Sequence, residues 1–141
     1  MTRVMAQGVF DIIHPGHLFY LSESSYLGDE LHVVIARDSR VKERKDLVMS
    51  EQDRLALLDA IEVVDETWLG TEGNIYNILE EVTPDIVTIG YDQPYDLDEI
   101  KEKQEEHGYY GIEVTRIGEY DPDDGDVVSS SEIKQELRDR S

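Results

Sequence analysis

The chain reads as an α/β protein: a Rossmann-like, doubly wound, five-stranded parallel sheet with strand order 3-2-1-4-5 and right-handed crossovers. Three observations point there. Short apolar runs alternate with helix-patterned segments along the chain. The runs at 31–36 and 85–90 are almost continuously hydrophobic, as strands covered on both faces are. The first run passes into the first helix through Gly8-Val9-Phe10-Asp11-Ile12-Ile13-His14-Pro15-Gly16-His17, with Pro15 suited to a first helical position because its missing N–H costs nothing there. A chain of 141 residues can bury a core as one domain, here taken as 1–141.

The elements follow in order. Residues 2–7 form a buried first strand. The first helix covers 15–26, with Leu18, Leu21 and Ser25 on one side and Gly28 as its C-terminal cap. The second strand is 31–36, and His32 within it is structural. Ser50-Glu51-Gln52-Asp53 resembles a capping box and starts a second helix running through Leu55, Leu58 and Ile61. Residues 63–70 form a third, edge-type strand in which Trp68 belongs to the core. A third helix spans 74–82, a fourth strand 85–90, a fourth helix 96–107 with Glu99 and Lys103 spaced i,i+4, and a fifth strand 112–117. A last helix opens at Ser129-Ser130-Ser131-Glu132-Ile133.

Composition narrows the function. There is no cysteine, which removes disulfides, thiolate metal sites and cysteine nucleophiles. With 33 acidic against 13 basic residues the formal charge is −20, spread along the chain. That field repels nucleic acid and fits a folded protein adapted to high salt, where counterions screen self-repulsion. The chain carries no 18-residue apolar run and no secretory signal pattern, so a cytoplasmic protein with no membrane partner is expected.

The stretch from Gly8 to His17 is where chemistry concentrates. A helix that starts beside His14 and His17 offers free amides, the positive dipole end and two imidazole donors, a seat for phosphate. Gly8 and Gly16, lacking a Cβ, allow a nucleotide close to the main chain. The plainer alternative is a strand-to-helix turn with capping histidines. A metal site on the H-x-x-H spacing is not expected, since no Cys or further His stands nearby in sequence.

Residues 37–45 hold five of the basic residues, and they follow the C-terminal end of a strand, where open α/β sheets bind ligands. Lys42 and Lys45, with Arg54 one turn into the second helix, are candidate phosphate neighbours. Gly90-Tyr91-Asp92-Gln93 ends the fourth strand; Asp92 could hold ribose hydroxyls or a base amine, against the alternative of a simple turn. Tyr120 could stack on an aromatic ring. Ser129 and Ser130 make either a helix cap or a second anion seat. In the 3-2-1-4-5 order, Gly8 to Phe10 and Gly90 to Asp92 converge at the switch point.

The pattern G-x-F-D-x-x-H-x-G-H is similar to the signature of the nucleotidyltransferase superfamily. Over almost its whole length the chain further resembles the archaeal FAD synthases, the FMN adenylyltransferases of that superfamily, and it is similar to glycerol-3-phosphate cytidylyltransferases. The shared stretches are Leu27-Gly28-Asp29-Glu30, Val34-Ile35-Ala36-Arg37-Asp38, Val64-Asp65-Glu66, Gly90-Tyr91-Asp92-Gln93 and Ser129-Ser130-Ser131-Glu132-Ile133. Gly-Tyr-Asp-Gln favours the flavin enzymes, because related cytidylyltransferases commonly carry Gly-Asp-Asp-Trp there. Two departures count against CTP and glycerol phosphate: Glu62 stands where those enzymes have the Arg of Arg-Tyr-Val-Asp-Glu, and Asp124-Gly125-Asp126-Val127-Val128 replaces Arg-Thr-x-Gly-Ile. Arg116 and Lys42 are then the candidate cations for the triphosphate late in the reaction.

The resemblance implies transfer of AMP from ATP to FMN, giving FAD and pyrophosphate. It implies that His14 and His17 are catalytic, that Val9 and Phe10 make main-chain contacts, and that Asp92 holds adenosine with Tyr91 and Tyr120 packing nearby. It implies a divalent ion such as Mg²⁺ bound mainly through ATP, and a homodimer. The alternatives are a cytidylyltransferase for glycerol 3-phosphate or another phosphorylated acceptor, and a non-catalytic nucleotide- or flavin-binding regulator.

Overall fold

The computed structural model describes residues 1–11, 13–38, 48–71, 75–91 and 93–118. Strand β1, Arg3–Gly8, lies at the centre of a parallel sheet of five strands. Its neighbours are β2, Glu30–Ile35, and β4, Ile86–Ile89; β3, Glu66–Leu69, and β5, Glu113–Arg116, form the two edges, so the order is β3-β2-β1-β4-β5 as expected. The register aligns Gly8 with Ile35 on one side of β1 and Val4 with Ile86 on the other. Helices α1, Pro15–Ser25, and α2, Glu51–Asp59, follow β1 and β2. A 3₁₀ turn, Ile75–Asn77, leads into α3, Ile78–Val82, and α4, Leu97–Glu106, joins β4 to β5.

Successive side chains of a strand point to opposite faces, so β1 feeds two cores. Val4 and Ala6 pack with Val33, Ile35, Leu21 and Leu58 under α1 and α2. Met5 packs with Val34, Val87, Ile89 and the α3 residues Ile78, Leu79 and Val82 on the other face. A sheet covered on both sides needs the unbroken apolar runs seen in β2 and β4.

Several boundaries differ from expectation. Leu18 is exposed, and α1 buries Tyr20, Leu21 and Ser24 instead. Leu18-Phe19-Tyr20-Leu21 is continuously apolar, so periodicity alone leaves the buried face of that helix open. The helix is capped by Tyr26, not Gly28. Gly28 is needed for close packing: a Cβ there would lie 2.8 Å from the Thr2 carbonyl oxygen and from Val4. The third strand begins at Glu66, because Val64 turns inward to the core and Asp65 is drawn to β2, its carboxylate accepting the Leu31 N–H at 2.7 Å. The expected helix at 74–82 is a 3₁₀ turn followed by five α-helical residues, ended by Thr83 in the left-handed conformation. Lys103 pairs with Glu106, 3.6 Å away, rather than with Glu99.

Ser50 does cap α2, its hydroxyl accepting the Asp53 N–H at 3.2 Å. His32 is structural: its Nδ1 accepts from Trp68 Nε1 at 3.1 Å, which leaves Nε2 to donate to Glu30 at 3.0 Å. Trp68 is half-buried and packs on the β2 side of the second core.

Candidate active site at the β1–β4 switch point

Crossovers to either side of β1 run in opposite directions, and the crevice beyond the C-terminal ends of β1 and β4 is where such sheets bind nucleotides. Tyr20 holds the seam from α1. Its hydroxyl donates to the Thr88 carbonyl at 2.8 Å and accepts the Gln7 N–H at 3.2 Å, bridging the last turns of the two strands. Ser24 and the Thr88 hydroxyl, 2.9 Å apart, add a second buried tie from the same helix. Burial pushes the Tyr20 phenol up to about 12.

Beyond Gly8 the chain makes an abrupt turn. Phe10 has φ +52°, a left-handed conformation that a bulky residue adopts only when its surroundings impose it, and such residues concentrate at functional sites. Its ring folds back over Gly8, where a Cβ would stand 2.9 Å from Phe10 Cε2. The absent Cβ at Gly8 therefore makes room for the Phe10 ring. The ring is held edge-on to His17, centroids 5.2 Å apart, and near-parallel to Tyr20 at 6.5 Å.

His14 is the N-cap of α1, in extended conformation, and its Nδ1 accepts the Gly16 N–H at 3.1 Å. Acceptance at Nδ1 leaves the proton of the neutral ring on Nε2. His17 stands one turn on, and the two imidazoles stack with centroids 3.8 Å apart. The two imidazoles are thus brought together at the start of a helix that opens on Pro15, and the dipole and first amides of that helix favour an anion.

Asp11 lies inside the motif, and its role there is structural. It is buried, and its carboxylate accepts the N–H groups of Val48, at 2.9 Å, and Met49, at 2.8 Å. That anchors the entry to α2 against the histidine loop. A short acidic residue three positions after a strand-end glycine is the signal that could have marked it.

Arg54 corrects an expectation. A direct phosphate contact was anticipated, but its side chain is 0% exposed and lies beneath the site. Its Nη1 donates to the carbonyls of Val9 and Ala36, each at 2.8 Å, and its Nη2 to Asp38 at 2.5 Å. Arg54 joins the ends of β1 and β2 to the first residue of the following segment. Because the Val9 carbonyl is engaged, a ligand contact at this turn falls to N–H donors.

At the end of β4, Gly90 donates its N–H to Gln93 Oε1 at 2.7 Å. Arg116, a candidate late cation, instead donates to the carbonyls of Gly90 at 3.0 Å and Gln93 at 2.9 Å, and also to that of Tyr95. Gln93 and Arg116 therefore shape the loop that carries Tyr91, which stands exposed. Asp92, Lys42, Lys45, Tyr120, Ser129 and Ser130 lie outside the described residues. Of the basic stretch, Arg37 is described, donating to the Gly70 carbonyl with Glu51 at 3.8 Å. Among the described residues no three His, Asp or Glu side chains gather as a metal site. No helix among them is long and apolar enough to cross a membrane.

A cytidylyltransferase-like family model matches residues 5–136. The FAD synthase of Methanohalobium evestigatum is 41% identical over 140 residues, covering 99% of this chain and 91% of its own. The FAD synthase of Thermoplasma volcanium is 45% identical over 138 residues, covering 97% and 94%. A solved structure from Thermoplasma volcanium GSS1, described as the lipopolysaccharide core biosynthesis protein, matches with a TM-score of 0.82 at 48% identity, covering 86% of this chain and 99% of that one. A protein of unknown function from Archaeoglobus fulgidus shares the fold at 19% identity, with a TM-score of 0.70 over 83% of this chain and 90% of that one.

Proposed function

The chain belongs to the cytidylyltransferase-like family, and from that premise we propose that it is an FMN adenylyltransferase, converting FMN and ATP to FAD and pyrophosphate. What carries the reading is near-full-length identity of 41% and 45% to proteins named FAD synthase. The stacked histidines at the helix start agree with it.

A phosphate oxygen of FMN attacks the α-phosphorus of ATP; the new P–O bond forms as the bond to the β-phosphate bridge breaks, and pyrophosphate leaves. No enzyme nucleophile is required. The protein's part is to position two polyanions and to neutralise charge as it spreads over the transferring adenylyl group and the leaving group. His14 and His17 donate to the phosphates, His14 through Nε2, and the first amides of α1 add to them. Lys42 and Lys45 supply cationic charge from the segment that precedes Asp11's anchor at Val48 and Met49. Asp92 holds adenosine, with Tyr91 and Tyr120 beside it, and Ser129 and Ser130 form the second anion seat. A divalent ion such as Mg²⁺, bound mainly through ATP, would add further charge neutralisation to that of these side chains.

The reading is tested by following pyrophosphate and FAD formation with FMN and ATP at high potassium chloride. Wild-type protein should form both, and CTP with glycerol 3-phosphate should give neither. His17→Ala should keep its fold, by circular dichroism, and lose about 10²–10³-fold in turnover, the scale of removing one transition-state donor. A folded His17→Ala protein with near-normal turnover would remove His17 from the mechanism.

A further inference from the structure

On the sheet face opposite α1, a cavity of about 100 Å³ lies beneath the β1–β4 seam. Met5 and Gln7 of β1 and Val87 of β4 line it from the sheet, while Tyr76, Tyr95 and Gln104 line it from the covering segments. Gln7 immediately precedes Gly8, and Tyr95 belongs to the loop that Arg116 ties to Gly90. The cavity is thus adjacent to the candidate active site but on the far side of β1 from the histidines.

Gln104 makes this cavity more than a packing gap. Its side chain is 2% exposed, and among the described residues Oε1 has no hydrogen-bond partner. A buried amide oxygen left without a donor weakens the free protein, and is tolerated where a ligand supplies the donor. The occupant should therefore present an N–H on an otherwise flat, largely apolar body. At about 100 Å³ the space is smaller than the ~150 Å³ that admits a benzene molecule, so it takes the leading edge of one six-membered ring and not a whole ring system. Tyr95 carries a hydroxyl donor suited to a carbonyl flanking that N–H. FMN has one such edge: the pyrimidine end of its ring system, where the imide N3–H sits between two carbonyls.

We infer that this cavity receives the pyrimidine end of the FMN ring, with flavin N3–H donating to Gln104 Oε1. The inference rests on the FMN reading above and assigns to that substrate a recognition pocket away from the nucleotide phosphates. Gln104 is then a specificity-determining residue for the acceptor.

The test compares FMN with 3-methyl-FMN, which lacks the N3–H, by titration of flavin fluorescence on wild type and Gln104→Leu. Wild type should bind 3-methyl-FMN roughly tenfold or more weakly than FMN, the scale of one lost hydrogen bond to a buried group. Gln104→Leu should bind FMN weakly, no longer distinguish the two flavins, and keep wild-type ATP affinity. Its melting temperature should stay level or rise, because an unsatisfied polar atom has been replaced by an apolar one; a purely structural glutamine would lower it. If the variant does not fold, the flavin pair on wild type alone decides. Wild-type FAD formation with equal affinity for FMN and 3-methyl-FMN would overturn this inference and leave the FMN reading standing. Absence of both flavin binding and FAD formation would overturn the two together.

Discussion

At the scale of single residues, the motif was legible where residue type and spacing carry the signal and illegible where a side chain supports another residue. His14 and His17 could be singled out from type and spacing, and they stand stacked at 3.8 Å. Asp11 and Arg54 act through backbone atoms distant in sequence, such as Met49 for Asp11 and Val9 for Arg54, and no local pattern announces such partners. By sequence Arg54 reads as a phosphate neighbour because it stands one turn into the helix that follows the basic cluster at 37–45 in an otherwise acidic chain. Burial reverses that reading: a guanidinium with three acceptors at 2.5 to 2.8 Å is a clamp. Arg54→Met should therefore destabilise the fold by about 3 kcal/mol, since it strips Asp38 of its partner and two carbonyls of their donor. Arg54→Lys should recover only part of this, because an ammonium cannot meet three acceptors with the planar fork of arginine. Urea denaturation checks both; an Arg54→Met protein as stable as wild type would show that the clamp contributes nothing.

At the scale of elements, strand existence and type followed from apolar runs, whereas helix faces and ends did not. In α1 four consecutive apolar residues, from Leu18 to Leu21, satisfy any face, and the choice is made by what the sheet offers. The Tyr20 hydroxyl finds Thr88 and Gln7 across the β1–β4 seam, so Tyr20 turns inward and Leu18 outward. Tyr20→Phe should cost about 1–2 kcal/mol at neutral pH, the worth of those bonds in a buried setting. Its pH dependence is more diagnostic. The phenol ionises near 12 in the folded protein and near 10 when unfolded, so between those values the folded state holds a proton that the unfolded state has lost. Stability contributed by Tyr20 is complete below pH 10 and falls as pH rises toward 12, by up to about 1.4 kcal/mol per unit. The stability gap between wild type and Tyr20→Phe should narrow over that window, as read from urea midpoints. A constant gap would mean that the hydroxyl is not held in the folded state as the structure has it.

At the scale of the whole molecule, the strand order 3-2-1-4-5 was legible because alternation of strands and helices, right-handed crossovers and a glycine-rich first turn agree with one another. The bearing of net charge on the fold is a separate matter. A chain with 33 acidic and 13 basic residues, at −20, is subject to self-repulsion, and several of its few basic side chains are taken up by the fold: Arg54 by Asp38 and two carbonyls, Arg116 by the β4 loop, Arg3 by Glu30 and Val82. Little positive charge is left to offset the acidic surface, so mobile counterions must do it. Screening length falls from about 10 Å at 0.1 M salt to about 3 Å at 1 M, which is shorter than most separations between surface carboxylates. Stability in urea, an uncharged denaturant, should therefore rise between 0.1 M and 1 M potassium chloride and gain much less from 1 M to 3 M, once screening is nearly complete. Sodium chloride should act alike, because screening depends on ionic strength. A midpoint that is flat or falls over the first interval would show that self-repulsion does not limit this fold; an undiminished rise over the second would assign the effect to salt exclusion from the protein surface.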